Sequence, residues 1–136
     1  MNPSDAEIRA LLARLRTIAV VGLSPKPDRP SFVVARAMQR FGFRILPVRP
    51  ATDEVLGEPC HPTLAAVPER IDLVNVFRAT EHIPAVVEEC IALNLPALWV
   101  QEGIVHEEAA EKARAAGIAV VMDRCLYKEY VRLMSQ

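Results

Sequence analysis

Thr17-Ile18-Ala19-Val20-Val21-Gly22-Leu23-Ser24 is the stretch that decides the fold of this chain. Its first five residues form a continuous run, β-branched at both ends and without the alternation of a half-exposed strand. A run of that length fits a strand covered on both faces, the kind found inside parallel sheets. Gly22 then lets the backbone turn sharply away from the strand end.

Outward from this run the pattern repeats. Upstream, Ser4 with Glu7 is a capping-box pair, and Ile8, Leu11, Leu12 and Leu15 follow at helical spacing. Downstream, Val34, Ala37, Met38 and Phe41 mark a helix closed by Gly42, and Phe43 to Val48 reads as a second buried strand. Arg49 to Arg70 is rich in Pro and Gly, with a short extended piece expected around Glu54 to Leu56 and a turn near Thr63 to Ala66. Leu73 to Phe77, Ala97 to Val100 and Ile118 to Met122 are three further strands. Between and after them lie helices over Glu81 to Leu93, burying Ile83, Val87, Cys90 and Ile91, over Glu107 to Ala116, and over Leu126 to Met134. Pro84 falls in a first turn, where its missing N–H costs nothing.

Strands alternating with helices at this spacing are βαβ units. The sequence therefore predicts one α/β domain over residues 1–136, a doubly wound five-stranded parallel sheet with helices on both faces. The expected strand order is 3-2-1-4-5, with a ligand crevice at the carboxyl ends where the order reverses.

Composition bounds the rest. With 51% hydrophobic but only 5% aromatic residues, the core must be aliphatic, and a formal net charge of −1 offers no global field for nucleic acid. Any anion site must be local. Cys60, Cys90 and Cys125 are odd in number and far apart, which argues against a disulfide framework or zinc site and suits a reducing cytoplasm. The apolar runs are strand-sized, so no membrane span or signal segment is expected.

The first strand-to-helix loop, Gly22 to Ser31, is the place for a site. It is not G-x-G-x-x-G, but Ser24 and Ser31 offer hydroxyls, Ser31 stands where a helix N-cap belongs, and Lys26 and Arg29 add charge. No acid occupies the following turn, so its N–H groups are open to an anion, whereas the helix at Glu107 fills its own start with Glu107 and Glu108. After the second strand stands Arg49, where domains binding NAD usually carry an acid. An Arg there suits a ribose bearing phosphate, as in CoA or NADP, and residue pattern alone does not choose between them. Phe77 and Arg78 end the third strand, one offering a packing face and the other a phosphate contact. Gln101 and Gly103 are candidates to line the pocket, and Trp99 is read as packing.

Catalytic signals are thin. His61, His82 and His106 lie in separate segments and suggest neither a metal triad nor a shared base, and Cys125 reads as an inert buried thiol. No nucleophile elbow, P-loop or H-E-x-x-H occurs.

Several runs together carry a family resemblance: Val20 to Ser24, Pro47-Val48-Arg49-Pro50, Leu56-Gly57, Asp72 to Arg78, Trp99 to Ile104 and Val121 to Cys125. In this order and spacing the chain resembles the small stand-alone CoA-binding proteins, themselves similar to the N-terminal domain of the succinyl-CoA synthetase α subunit. The resemblance implies a Rossmann-like fold with coenzyme A lying across the carboxyl ends of the strands. Its nucleotide and phosphates would meet Gly22, Leu23, Ser24, Ser31 and the segment Val48, Arg49, Pro50. Its pantetheine would pass Phe77 and Arg78 toward Gln101 and Gly103. One position departs from the family's usual Val-Asn-Pro, since Arg49 replaces the Asn. The synthetases also carry a domain with a phosphorylated histidine that is not found in this sequence, so ligation is not carried over. The expectation is a non-catalytic module for CoA or acyl-CoA, serving as carrier, sensor or partner of an enzyme. A minimal NADP-dependent reductase or an acyl-CoA-processing enzyme is the alternative, and a regulatory protein with a vestigial crevice the third.

Overall fold

A computed structural model describes residues 1–134. The elements run α1 (Asp5–Ala13), β1 (Thr17–Val21), α2 (Pro30–Arg40), β2 (Arg44–Val48), β3 (Glu54–Val55), β4 (Glu58–Pro59), β5 (Leu73–Val76), α3 (Ile83–Ala92), β6 (Ala97–Val100), α4 (Glu107–Ala115), β7 (Ala119–Met122) and α5 (Leu126–Met134). Single 3-10 turns occupy Leu64–Ala66 and Thr80–His82, the latter taking the place of the expected first turn of α3.

Five strands form one parallel sheet in the order β2-β1-β5-β6-β7. Numbered as core strands this is 2-1-3-4-5, which corrects the expected 3-2-1-4-5. Two local features explain it. The outer edge of β2 is already taken: Arg49 N–H donates to the His61 carbonyl at 2.8 Å, and His61 N–H donates to the Pro47 carbonyl at 3.0 Å. Meanwhile the chain entering β5 is hooked to the start of β1. The Asp72 carboxylate accepts from the N–H groups of Arg16 and Thr17 at 2.9 and 3.2 Å, and Thr17 Oγ1 donates to the Arg70 carbonyl at 2.7 Å. The sheet remains doubly wound, and the order still reverses beside β1.

Alternation along each strand builds two cores. Ile18 and Val20 of β1 pack with α1, α2 and α5, while Ala19 and Val21 pack with α3 and α4. Burying each Val, Leu or Ile side chain in these layers contributes about 1.5–3 kcal/mol. Ile91, expected inside, is only partly buried at the edge of the second layer. Trp99 is fully buried, its Nε1–H donating to the Arg124 carbonyl at 2.9 Å.

β3 and β4 make a small antiparallel hairpin turned by Leu56 (φ 55°) and Gly57 (φ 76°). Two successive left-handed residues are what the tightest hairpin turns require. Leu56 tolerates this because its carbonyl accepts Gln39 Nε2–H at 3.0 Å and its side chain packs on the α2 layer.

Candidate functional site

At the carboxyl end of the sheet the backbone ladder steps beyond each strand. Gly22 N–H donates to the Val48 carbonyl, Phe77 N–H to Val21 and Gln101 N–H to Val76, at 2.9, 2.9 and 3.2 Å. These bonds set four loop segments side by side over the reversal point. Gly22 sits at φ +85°, and a Cβ placed there would lie 2.5 Å from the Phe77 carbonyl oxygen. Only glycine lets the two loops approach this closely.

Ser31 is not the N-cap of α2. Arg29 caps the helix without a side-chain hydrogen bond, Pro30 is its first residue, and Ser31 is buried in the first turn. Its Oγ instead accepts Ser24 N–H at 3.0 Å, and Ser24 Oγ accepts Lys26 N–H at 3.1 Å, so the two hydroxyls brace the loop. Pro30 presets the first helical φ and removes its own orphan N–H, but the N–H groups of the next residues are left without a side-chain cap. With no acid in this turn, the leading N–H groups of α2 stay uncapped. α4 is different: His106 Nδ1 accepts Ala109 N–H at 3.1 Å behind Glu107 and Glu108, making this histidine a cap.

The segments enclose a two-lobed crevice. The first lobe, about 600 Å³, lies between the end of β2 and α3, with apolar walls of Val21, Val48, Leu64 and Val86 and polar groups at Thr63, His82 and Glu89. The second, about 500 Å³, lies between the start of α2 and the loop after β6. Gly22, Arg49, Phe77 and Arg78 belong to both and form the saddle between them.

Most residues singled out from sequence come together here. Val48, Arg49 and Pro50 line the first lobe, and Ser24, Lys26, Ser31, Arg49 and Gln101 the second. Two are placed elsewhere. Leu23 is fully buried in the α2 layer, and Gly103 turns away, its N–H donating to Asp123 Oδ1 at 2.7 Å. Residues that sequence reading passed over include Glu102 and Ile104 in the second lobe and Pro62, Thr63 and Leu64 in the first. No local pattern marks that last segment, because the His61 bridge to β2 is what brings it there.

The lining is cationic in a chain whose formal net charge is −1. Lys26, Arg29, Arg49 and Arg78 face the crevice, and among the described residues none of the four forms an ion pair. Glu102 is neutralised by Lys128 at 2.9 Å, which also raises the lysine's pKa. Gln101 lines the second lobe and is buried, and its Oε1 has no hydrogen-bond partner among the described residues.

Away from the crevice, burial pushes the Cys90 thiol up to about 12 and desolvation raises that of Cys60. All three cysteines are free. Among the described residues no group of three His, Cys, Asp or Glu is placed to hold a metal, and no helix is long and apolar enough to cross a membrane.

A doubly wound parallel sheet, an uncapped helix start and unpaired cations at the reversal point define a nucleotide-binding α/β domain of the Rossmann-like class. Residues 16–131 match the CoA binding domain family, and the chain belongs to that family. It is 46% identical over 125 residues to the uncharacterized protein YneT of Bacillus subtilis (strain 168), covering 92% of this chain and 93% of that one. The solved structure of cell-free ID.343 from Thermus thermophilus matches with a TM-score of 0.92 at 38% identity, covering 97% of this chain and 100% of that chain. An ADP-forming acetate–CoA ligase of Archaeoglobus fulgidus is 26% identical over 121 residues. That match takes in 82% of this chain but only 18% of the ligase.

Proposed function

We propose that this protein holds coenzyme A, or an acyl-CoA, along the two-lobed crevice and acts as a cytoplasmic binding module without chemistry of its own. The observation that carries this is the cationic saddle of Arg49 and Arg78 between two lobes of mixed apolar and polar lining. Adenosine fits the first lobe, with Arg49 beside its ribose phosphate. The pyrophosphate crosses Gly22 toward Ser24, Lys26 and the start of α2, where uncapped N–H groups favour an anion. The pantetheine then runs past Phe77 and Arg78 toward the free Gln101 acceptor. The resemblance to the small stand-alone CoA-binding proteins implies the same order of contacts, with phosphates at the Gly22 to Ser24 loop, Ser31 and Val48 to Pro50 and the pantetheine past Phe77 and Arg78 toward Gln101 and Gly103.

The role is that of a carrier, sensor or partner of an enzyme, with residues 1–136 acting as one unit. Neither nucleic acid nor membrane is a partner in this reading, since the formal net charge of −1 gives no global field for nucleic acid and no helix among the described residues is long and apolar enough to cross a membrane. The Arg49 position is also compatible with a phosphorylated ribose in NADP, which makes a reductase the second reading.

A thermal-shift series with CoA, acetyl-CoA, NADP, NAD and ATP tests it. Ligand at 100 times its Kd stabilises the folded state by about 2.7 kcal/mol, so a CoA binder shows a clear rise in Tm. CoA is expected to give the largest shift. A flat response at millimolar CoA overturns the proposal, and a larger shift with NADP transfers it to the reductase reading.

A further inference from the structure

The loop after β6 walls the second lobe through Gln101, Glu102 and Ile104, yet it has little to hold its own shape. Its internal bond is a single turn contact, Ile104 N–H to the Gln101 carbonyl at 3.2 Å. The loop after β7 supplies the contacts at its middle. Asp123 N–H donates to the Val100 carbonyl at 3.0 Å, while Asp123 Oδ1 accepts Gly103 N–H at 2.7 Å. The two loops are thus tied reciprocally through one residue. Asp123 lies at φ +61°, a left-handed conformation that Asp and Asn adopt more readily than other side-chain-bearing residues. Its neighbour is fixed too, because the Arg124 carbonyl accepts the indole N–H of Trp99. Gln101 N–H to the Val76 carbonyl at 3.2 Å holds the start of the loop and His106 N–H to Met122 Sδ at 3.2 Å its end, whereas the Glu102–Lys128 ion pair is exposed and contributes little.

We propose that Asp123 is a positioning residue for the ligand: by holding the Gly103 amide it fixes the wall from which Gln101 offers its acceptor to the pantetheine arm. This rests on the CoA reading of the crevice. The arm carries amide N–H donors, and Gln101 Oε1 is a buried acceptor with no partner among the described residues. A loop free to drift loses that match without disturbing the first lobe.

Calorimetric titration of wild type, Asp123→Asn and Asp123→Gly with CoA and with adenosine 3′,5′-bisphosphate tests this. Glycine suits the left-handed backbone but removes the acceptor, so folding is retained; asparagine keeps both. Asp123→Gly is expected to weaken CoA about fivefold, the scale of one partly exposed hydrogen bond, and to leave the bisphosphate unchanged. Asp123→Asn restores CoA affinity. Unchanged CoA affinity in Asp123→Gly, equal losses for both ligands, or failure of the Asn variant to rescue would each overturn the proposal. A wild type that binds neither ligand overturns the CoA reading instead. Amide exchange then still decides the anchoring: Gly103 N–H must exchange faster in Asp123→Gly, and equal protection refutes it.

Discussion

At the scale of single residues, Gly22 and Arg49 show how differently two site positions earn their place. Gly22 is dictated by geometry, since a side chain would both meet the Phe77 carbonyl and sit at φ +85°. Gly22→Ala is expected to cost about 3 kcal/mol in stability and to abolish CoA binding, because relief of the clash moves the saddle. Urea unfolding and titration of the same variant check both effects. Arg49 is dictated by chemistry, as an unpaired guanidinium shared by both lobes. Arg49→Ala should weaken CoA by at least about tenfold while dephospho-CoA changes little, charge-assisted hydrogen bonds being worth about 1.5–3 kcal/mol. Equal loss for both ligands would move Arg49 to the pyrophosphate. Both residues were visible in sequence, one as the lone glycine after a buried strand and the other as a base where an acid is usual. Ser31 was visible too, but its part was not: a hydroxyl near a helix start reads as a cap until Pro30 is seen to begin the helix.

At the scale of elements, periodicity located every core strand and helix to within a few residues, yet misplaced one strand. A buried strand has the same apolar content wherever it lies in the sheet, so pattern alone cannot place β5 beside β1 rather than outside β2. What assigns it is a handful of polar contacts far apart in sequence. The Asp72 hook on Arg16 and Thr17 spans more than fifty residues, and the His61 bridge closes off β2. The hook is partly shielded from water, with the Asp72 side chain 18% exposed. Asp72→Ala leaves two backbone N–H groups at the head of β1 without their carboxylate and should destabilise by about 2 kcal/mol. A shift in the urea midpoint at constant m-value is the expected signature, and no shift would mean that the strand order is set by packing alone. The same hidden contacts explain why the Pro62–Leu64 wall of the first lobe escaped sequence reading while the loops ending β1 and β5 did not.

At the scale of the whole molecule, stability and ligand affinity rest on separate charges. Arg132 clamps Asp5 of α1 onto α5 at 2.8 Å, and Arg44 clamps Glu69 at the opposite end of β2 from the crevice at 2.7 Å. Their hydrogen bonds hold the Asp5 and Glu69 carboxyls below the ordinary values of 3.8 and 4.5, and the Ser4 backbone does the same for Glu7. Lowered carboxylate pKa values mean that the unfolded chain binds more protons than the folded one across this window. Stability therefore rises with pH there: the contribution is complete above the unfolded values and is lost as pH falls through the folded ones. These groups are exposed, so solvent and salt reduce the effect. The Tm is expected to fall between about pH 5 and about pH 3, and an Arg44→Ala/Arg132→Ala variant to start lower and fall less steeply. An identical pH slope in the variant would show that other carboxylates govern acid unfolding. Neither arginine lines the crevice, so the same variant should bind CoA at pH 7 as the wild type does. Loss of binding in step with stability would instead mean that the lobes open when the clamps are released.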